Sequence, residues 1–376
     1  MEERRTPEAK LDRKKIGMTL LLLLLVFVTI ALLINRDRIT WNHFFRAIYY
    51  RNLGSASHAE EFHFSHLASN NFAIFGNGLA VASGSGLAVY DRTGGLIYAA
   101  NLPLARPIIE TGGNFVLAYD HGGFDLQVGN AREALWNLTA SGRIIDARIN
   151  ENGWVTLSIE QAGTLGVVYV HDAGGQQRLR VSAHDGHLIA AALAADNRTL
   201  ATLTVTESGG RIAWFDITGG GARHEYIEAD EIFFDFWFTS RNGAVGAISN
   251  NMVRFLSNQG EPTGEFEFPD QHLRAYDTSD GNVALYLSPL PTGAGGHLVV
   301  VESGGRATET AIIGNLFDLS LSGRYLSALF FDQLVIYRGS RVYAAWSETE
   351  GMHHTLMRED GTVFRLSSHR ARLLVP

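Results

Sequence analysis

Residues 87–102 read LAVYDRTGGLIYAANL. An apolar run ends in Tyr90-Asp91, a polar turn surrounds Gly94-Gly95, and a second apolar run follows. Taken alone this is a β-hairpin. Related stretches return at VVYVHDAGGQQRL (167–179), IAWFDITGGGARHEY (212–226), VRFLSNQGEPTGEFEF (253–268) and LVVVESGGRATETAI (298–312). Aligned by the residue that closes each first strand, the hairpins fall at Asp91, Gly129, Asp172, Asp216, Asn258, Glu302 and Arg338, with gaps of 38, 43, 44, 42, 44 and 36 residues. A period of ~40–45 residues with about four strands per unit is that of a β-propeller blade.

The rest of the unit recurs as well. Ahead of each hairpin comes a strand ending in a turn, as in IIDARINENG (144–153), LIAAALAADN (188–197) and LFDLSLSGR (316–324). WVTLSIE (154–160) alternates apolar and polar residues with the period of two that marks a strand. VVYV (167–170) and LVVV (298–301) are apolar on both sides, as blades stacked face to face require. Full units span about 72–102, 107–138, 144–182, 188–227, 232–268, 273–312 and 316–346, and the remaining C-terminal residues supply two or three strands. Phe62-His63-Phe64 can supply the outer strand that these lack, so that both termini close the ring and no sheet edge is left open. The expected fold is an all-β propeller of eight blades over 62–376, with seven blades and a C-terminal cap as the alternative.

Composition agrees. The 376 residues include 40 glycines, 8 prolines and no cysteine. The glycines are spread along the chain, as many tight turns demand. Without cysteine there is no disulfide, no Cys-ligated zinc or iron–sulfur site and no thiol nucleophile. Residues 1–51 hold ten basic and five acidic residues, leaving 21 basic against 34 acidic residues for the body. A body this acidic is a poor partner for nucleic acid.

Residues 16–34, IGMTLLLLLLVFVTIALLI, form an uncharged apolar run long enough to span a bilayer. Six Lys/Arg precede it and only Arg36 and Arg38 follow closely, which orients the basic tail of residues 1–15 to the cytoplasm and the rest outward. The flanking ALLINRDRITW offers no small-residue cleavage site, so the run reads as a signal-anchor rather than a cleaved leader. Within 35–61, Trp41, Phe44, Phe45 and Ile48 share one side of an amphipathic helix at i, i+3, i+4, i+7 spacing. That side suits a membrane interface or a contact with the globular body equally. Residues 52–61 read as a polar linker.

The Tyr90-Asp91-x-x-Gly94 hairpin, with Tyr98 where tryptophan is common, resembles the repeat of quinoprotein-type and WD-repeat-type propellers. The whole pattern of basic tail, single anchor and acidic, cysteine-free propeller resembles a bacterial family of membrane-anchored propellers of unknown function. The shared motifs build blades, so the resemblance implies architecture and carries no catalytic residue.

Signatures of chemistry are few. No HExxH, EF-hand loop, Walker loop or GxSxG elbow occurs. His184-Asp185-Gly186-His187 falls where a turn between blades is expected, and no cofactor or metal site is expected. The irregular Tyr98, Trp136, Leu179 and Tyr226 speak against a quinoprotein. One constellation stands out: Ile108-Ile109-Glu110, Ile144-Ile145-Asp146, Phe233-Phe234-Asp235 and Leu316-Phe317-Asp318 each open a first strand with two apolar residues and an acid. First strands line a propeller's axis, so Glu110, Asp146, Asp235 and Asp318 either ring the mouth of the channel, attracting cations, or hydrogen-bond backbone between blades. The expected function is a non-enzymatic scaffold or receptor of the cell envelope that binds a protein, peptide or cell-wall component. The alternative is a surface hydrolase or lyase with its site on the axis.

Overall fold

The structure, a computed structural model, describes residues 61–376 apart from 65–69, 220 and 348. All of them belong to the second of two compact units, His58–Pro376. The apolar run 16–34 and the segment with Trp41, Phe44, Phe45 and Ile48 lie outside the described residues. Among the described residues no helix is long and apolar enough to cross a membrane.

Thirty-two strands form eight four-stranded antiparallel sheets. Each sheet is a blade, and the fold is an all-β, eight-bladed propeller. Seven blades are continuous in sequence and cover 71–101, 107–139, 144–182, 187–229, 235–267, 272–311 and 316–346. The eighth takes three strands from 354–374 and its outer strand, Glu61–His63, from the start of the body. Glu61 pairs with Arg372 and His63 with Arg370, and the Phe64 amide donates to the His369 carbonyl at 2.9 Å. Glu61 thus belongs to the closing strand and not to the linker. The ring is closed as the sequence suggested, with Glu61–His63 as the strand.

Burial follows from stacking. Second strands such as Val155–Ile159 and Tyr325–Phe330 are buried at every position, because both sides of a blade's middle meet another blade. Outer strands such as Leu96–Asn101 and Ala134–Thr139 alternate between exposed and half-buried. The core is accordingly a series of clusters between neighbours: Leu117, Val128, Ala147 and Leu157 between blades 2 and 3, and Leu203, Trp214, Phe236 and Val245 between blades 4 and 5.

Hairpin turns are built from side-chain caps. Asp91 Oδ1 accepts the amides of Thr93 (2.8 Å) and Gly95 (2.9 Å), and Gly94 takes φ of 84°, a backbone that favours glycine. Asp172 and Asp216 repeat the device. In two blades the capping residue is one removed from the alignment: Asn130 rather than Gly129, and Ser257 rather than Asn258.

The up-and-down order of strands sorts the connections onto two faces. The crossover face carries the loops between blades and between second and third strands; Glu160 and Leu165 of one such loop donate amides to Arg143 and Ala183 of the inter-blade loops beside it. The turn face carries the other two turns of every blade. There Asn150 Nδ2 donates to the Ala194 carbonyl (3.1 Å) and Asn258 Nδ2 to the Asn242 carbonyl (3.1 Å).

Candidate functional site

The backbone treats the apolar–apolar–acid triplets differently: that of Glu110 keeps its register and buries its middle residue, Ile109. Ile144 and Phe233 are buried in the core. A register shift between Ile144 and Asp146, and another between Leu316 and Asp318, bulges the middle residue outward. Phe317, at the second bulge, and Phe234, just ahead of the strand Asp235–Phe238, are exposed on the crossover face, while the acids turn toward the axis.

Arg148 organises one side of the channel. Its Nε donates to Asp146 Oδ2 at 2.8 Å and its Nη2 to Asp235 Oδ1 at 2.6 Å. Its Nη1 donates to the Phe236 carbonyl, and its guanidinium lies 4.9 Å from the Phe236 ring centre. The side chain thus reaches from blade 3 to blade 5. Blade 4, between them, offers only Ala190, Ala191 and Ala192 at the matching positions, which leaves the guanidinium room. Burial works against its charge, but Asp146, Asp235 and Glu110 outweigh that and hold the proton more firmly than usual. Tyr276 Oη donates to Asp235 Oδ2 at 2.7 Å; burial first, then Asp235, raises the pKa of this phenol.

Glu110 stands apart. Its side chain is exposed to the open channel, in a narrow space between the inner strands, and it makes no hydrogen bond among the described residues. Desolvation pushes its carboxyl up to about 7, with Asp146, Asp235 and Asp277 adding to the rise and Arg148 opposing it.

The far side of the channel is held by backbone. Asp318 Oδ2 accepts the Thr355 amide of blade 8 at 2.8 Å and lies 3.5 Å from His354 Nδ1. Asp277 Oδ2 accepts the Leu321 amide of blade 7 at 2.7 Å. Burial raises the Asp277 carboxyl to about 6, and hydrogen bonds from Leu321, Ser320 and Thr278 moderate the shift. Asp277 and Arg148 escaped the sequence reading because neither sits in a triplet. Blade 6 opens with Leu273-Arg274-Ala275, and its acid comes two residues later, on the same side of the strand. That offset was the available signal. Between blades 6, 7, 8 and 1 a cavity of about 210 Å3 is lined by Asn71, Tyr276, Asp277, Asp318 and His354 among others.

The crossover face is the second feature. Phe124, Ile232, Phe234, Leu290, Ile313, Phe317 and Phe331 are exposed there, Ile313 at 92% and Phe331 at 78%. The Phe317 and Phe331 rings meet edge to face with centres 6.2 Å apart. An open hollow of about 650 Å3 lies near Phe124, lined by Arg143, Ile145, Glu160 and His187. The other exposed large apolar residues (Leu96, Ile97, Leu135, Ile227 and Val342) lie on outer strands. Among the described residues none sits in a turn of the opposite face. In the His184–His187 loop, the Asp185 carboxylate faces Arg211 at 3.5 Å. Among the described residues no group of three or more His, Cys, Asp or Glu side chains is placed to hold a metal.

Residues 49–342 match a family described as a family of unknown function, DUF5711, and the chain belongs to it. No curated protein matches the chain. Solved structures with the same fold include the C-terminal WD40 domain of Sif2, at 12% identity and TM-score 0.61, over 85% of this chain and 98% of that one. Saccharomyces cerevisiae Sqt1 is similar at 11% identity and TM-score 0.62, over 85% and 100%. Kuenenia stuttgartiensis hydrazine synthase is similar at 12% identity and TM-score 0.51, over 71% and 94%. At these identities the likeness is one of fold alone.

Proposed function

We propose that this DUF5711 propeller is a membrane-tethered, non-enzymatic scaffold whose crossover face docks a protein partner outside the cytoplasm. The observation that carries the reading is the one-sided distribution of exposed large apolar residues among the described residues: seven on the crossover face, none in the turns of the other. An apolar surface kept in water without a structural need is the mark of an interaction site. The tether rests on the sequence: residues 16–34 anchor the chain and the excess of Lys/Arg before them keeps residues 1–15 in the cytoplasm. The chain enters the ring at Glu61, next to Arg372 and near the C-terminal end of that strand, at the edge of the turn face. The docking face is the one opposite the edge at which Glu61 begins its strand.

A photo-cross-linker placed at position 331 in the native membrane should give discrete protein adducts, and one at position 92 on the turn face should not. Equal labelling from both positions would overturn the reading. Protease added outside intact cells should remove a tag at Pro376; protection of the tag would overturn the orientation.

One observation favours the second reading, a hydrolase or lyase on the axis. The Glu110 carboxyl, at about 7, suits general acid or base work. Against it, Arg148 ties up Asp146 and Asp235, the carboxylates placed to assist.

A further inference from the structure

The triplets that place phenyl rings on the crossover face place carboxylates beside them. Phe317 and Asp318 are neighbours in the chain, one exposed on the face and the other turned to the axis. The cavity of about 210 Å3 next to them is lined by Asp277, Asp318, Tyr276 and His354, and among the described residues no Lys or Arg contributes to its wall. Arg148, the channel's organising cation, is engaged with Asp146 and Asp235. Asn70, Asp318 and His354 lie at or near the starts of inner strands, the ends that the inter-blade loops deliver, so the cavity opens on the crossover face. Apolar anchors thus rim a pocket whose fixed charge is negative, and Asp332 follows Phe331 on the same rim.

Resting on the docking reading above, we propose that the partner is a polypeptide segment that is both apolar and cationic. Its apolar side chains lie on Ile313, Phe317 and Phe331, and one lysine or arginine enters the cavity to face Asp277 and Asp318. Charge complementarity selects this occupant: a cation answers two carboxylates in a site of restricted solvent, whereas an acidic segment meets like charge. Tyr276 and Asn71 add polar groups at the wall for a lysine ammonium or an arginine fork.

The test uses the full chain in lipid nanodiscs and three fluorescent 12-residue peptides: one of leucine and lysine, one with glutamate in place of lysine, and one with serine in place of leucine. The leucine–lysine peptide should bind, and at least tenfold more weakly to the Asp277→Asn/Asp318→Asn protein, with little binding of the other two. Equal affinity of the lysine and glutamate peptides, or no effect of the asparagines, would overturn the cationic partner. In that outcome a loss of binding by Phe317→Ser/Phe331→Ser would still uphold the docking face. Binding of all peptides alike to wild-type and Phe317→Ser/Phe331→Ser protein would overturn the face itself. Concentration-dependent self-association abolished by those serines would identify a second copy as the occupant and overturn the proposal. Should the asparagine protein melt early, the lysine–glutamate comparison on wild-type protein decides alone.

Discussion

The two faces of the ring are made from the same repeat and solve opposite problems. On the turn face, polar side chains cap their own turns and reach into the next blade: Asn150 accepts the amides of Asn152 and Trp154 and donates to Ala194 and Asn197. Asp216 is covered by its own partners, Thr218, Arg198 and Arg223, rather than by the core, and Thr218 above all holds its carboxyl well below the usual range. On the crossover face side chains also tie loops together, as Asn70 Nδ2 does to the Ser368 carbonyl, Asn251 Nδ2 to Glu231 and Thr349 Oγ1 to the Phe331 carbonyl, but several of the larger apolar side chains point outward. The difference teaches that both faces hold their loops with polar groups, while the crossover face in addition presents large apolar side chains that take no part in that task. Stability and binding should therefore separate by side.

The largest expected effect lies in the channel between the faces. Arg148→Ala leaves Asp146 and Asp235 without their countercharge, and should cost about 3 kcal/mol in chemical denaturation. Adding Asp235→Asn should recover part of the loss; no recovery would show that packing on Phe236 and not charge is at stake.

On the turn face, Asn150→Ala removes four hydrogen bonds, two that cap its own turn in blade 3 and two that reach blade 4. It should cost about 2 kcal/mol without altering cross-linking from position 331. A change in binding as large as the change in stability would erase the distinction between the faces.

A smaller effect concerns pH. Glu110 has its carboxyl raised from the ordinary 4.5 to about 7. Between those values the folded state holds a proton that the unfolded state has lost, so this group lowers stability as pH rises through that window and has no further effect above it. Arg148 opposes the shift while Asp146, Asp235 and Asp277 enlarge it. Glu110→Gln should therefore melt above wild type at pH 8 and level with it at pH 4. A gap of equal size at both values would place its origin elsewhere.

The smallest effect is the sharpest for the comparison. Phe331→Ser on the crossover face should change stability by no more than about 0.5 kcal/mol, as for a side chain that packs on little. Thermal melting measures it, and a loss matching that of Asn150→Ala would mean the face is structural after all.

Much of this was legible in the chain. The hairpin at 87–102 recurs with the period of a blade because strand alternation and turn chemistry are local, written within about ten residues. The need for an eighth outer strand, and its source near Phe62, followed from counting strands and refusing an open edge. The triplets drew attention to Glu110, Asp146, Asp235 and Asp318, and left open whether such acids serve the channel or the backbone. The tertiary structure gives Asp318 a backbone partner in blade 8, Asp146 and Asp235 an arginine, and Glu110 no partner among the described residues.

What the sequence determined by itself was the repeat, the ring and its closure, because each depends on contacts between neighbours in the chain or in the ring. What only the tertiary structure decided was convergence. Arg148 meets Asp235 across 87 residues, Asp277 joins the channel from outside the motif, and exposed residues from blades 2, 5, 6 and 7 and the loops between blades gather on one face. Such meetings depend on where a bulge turns a side chain and on which small residues leave a gap. No local pattern records either.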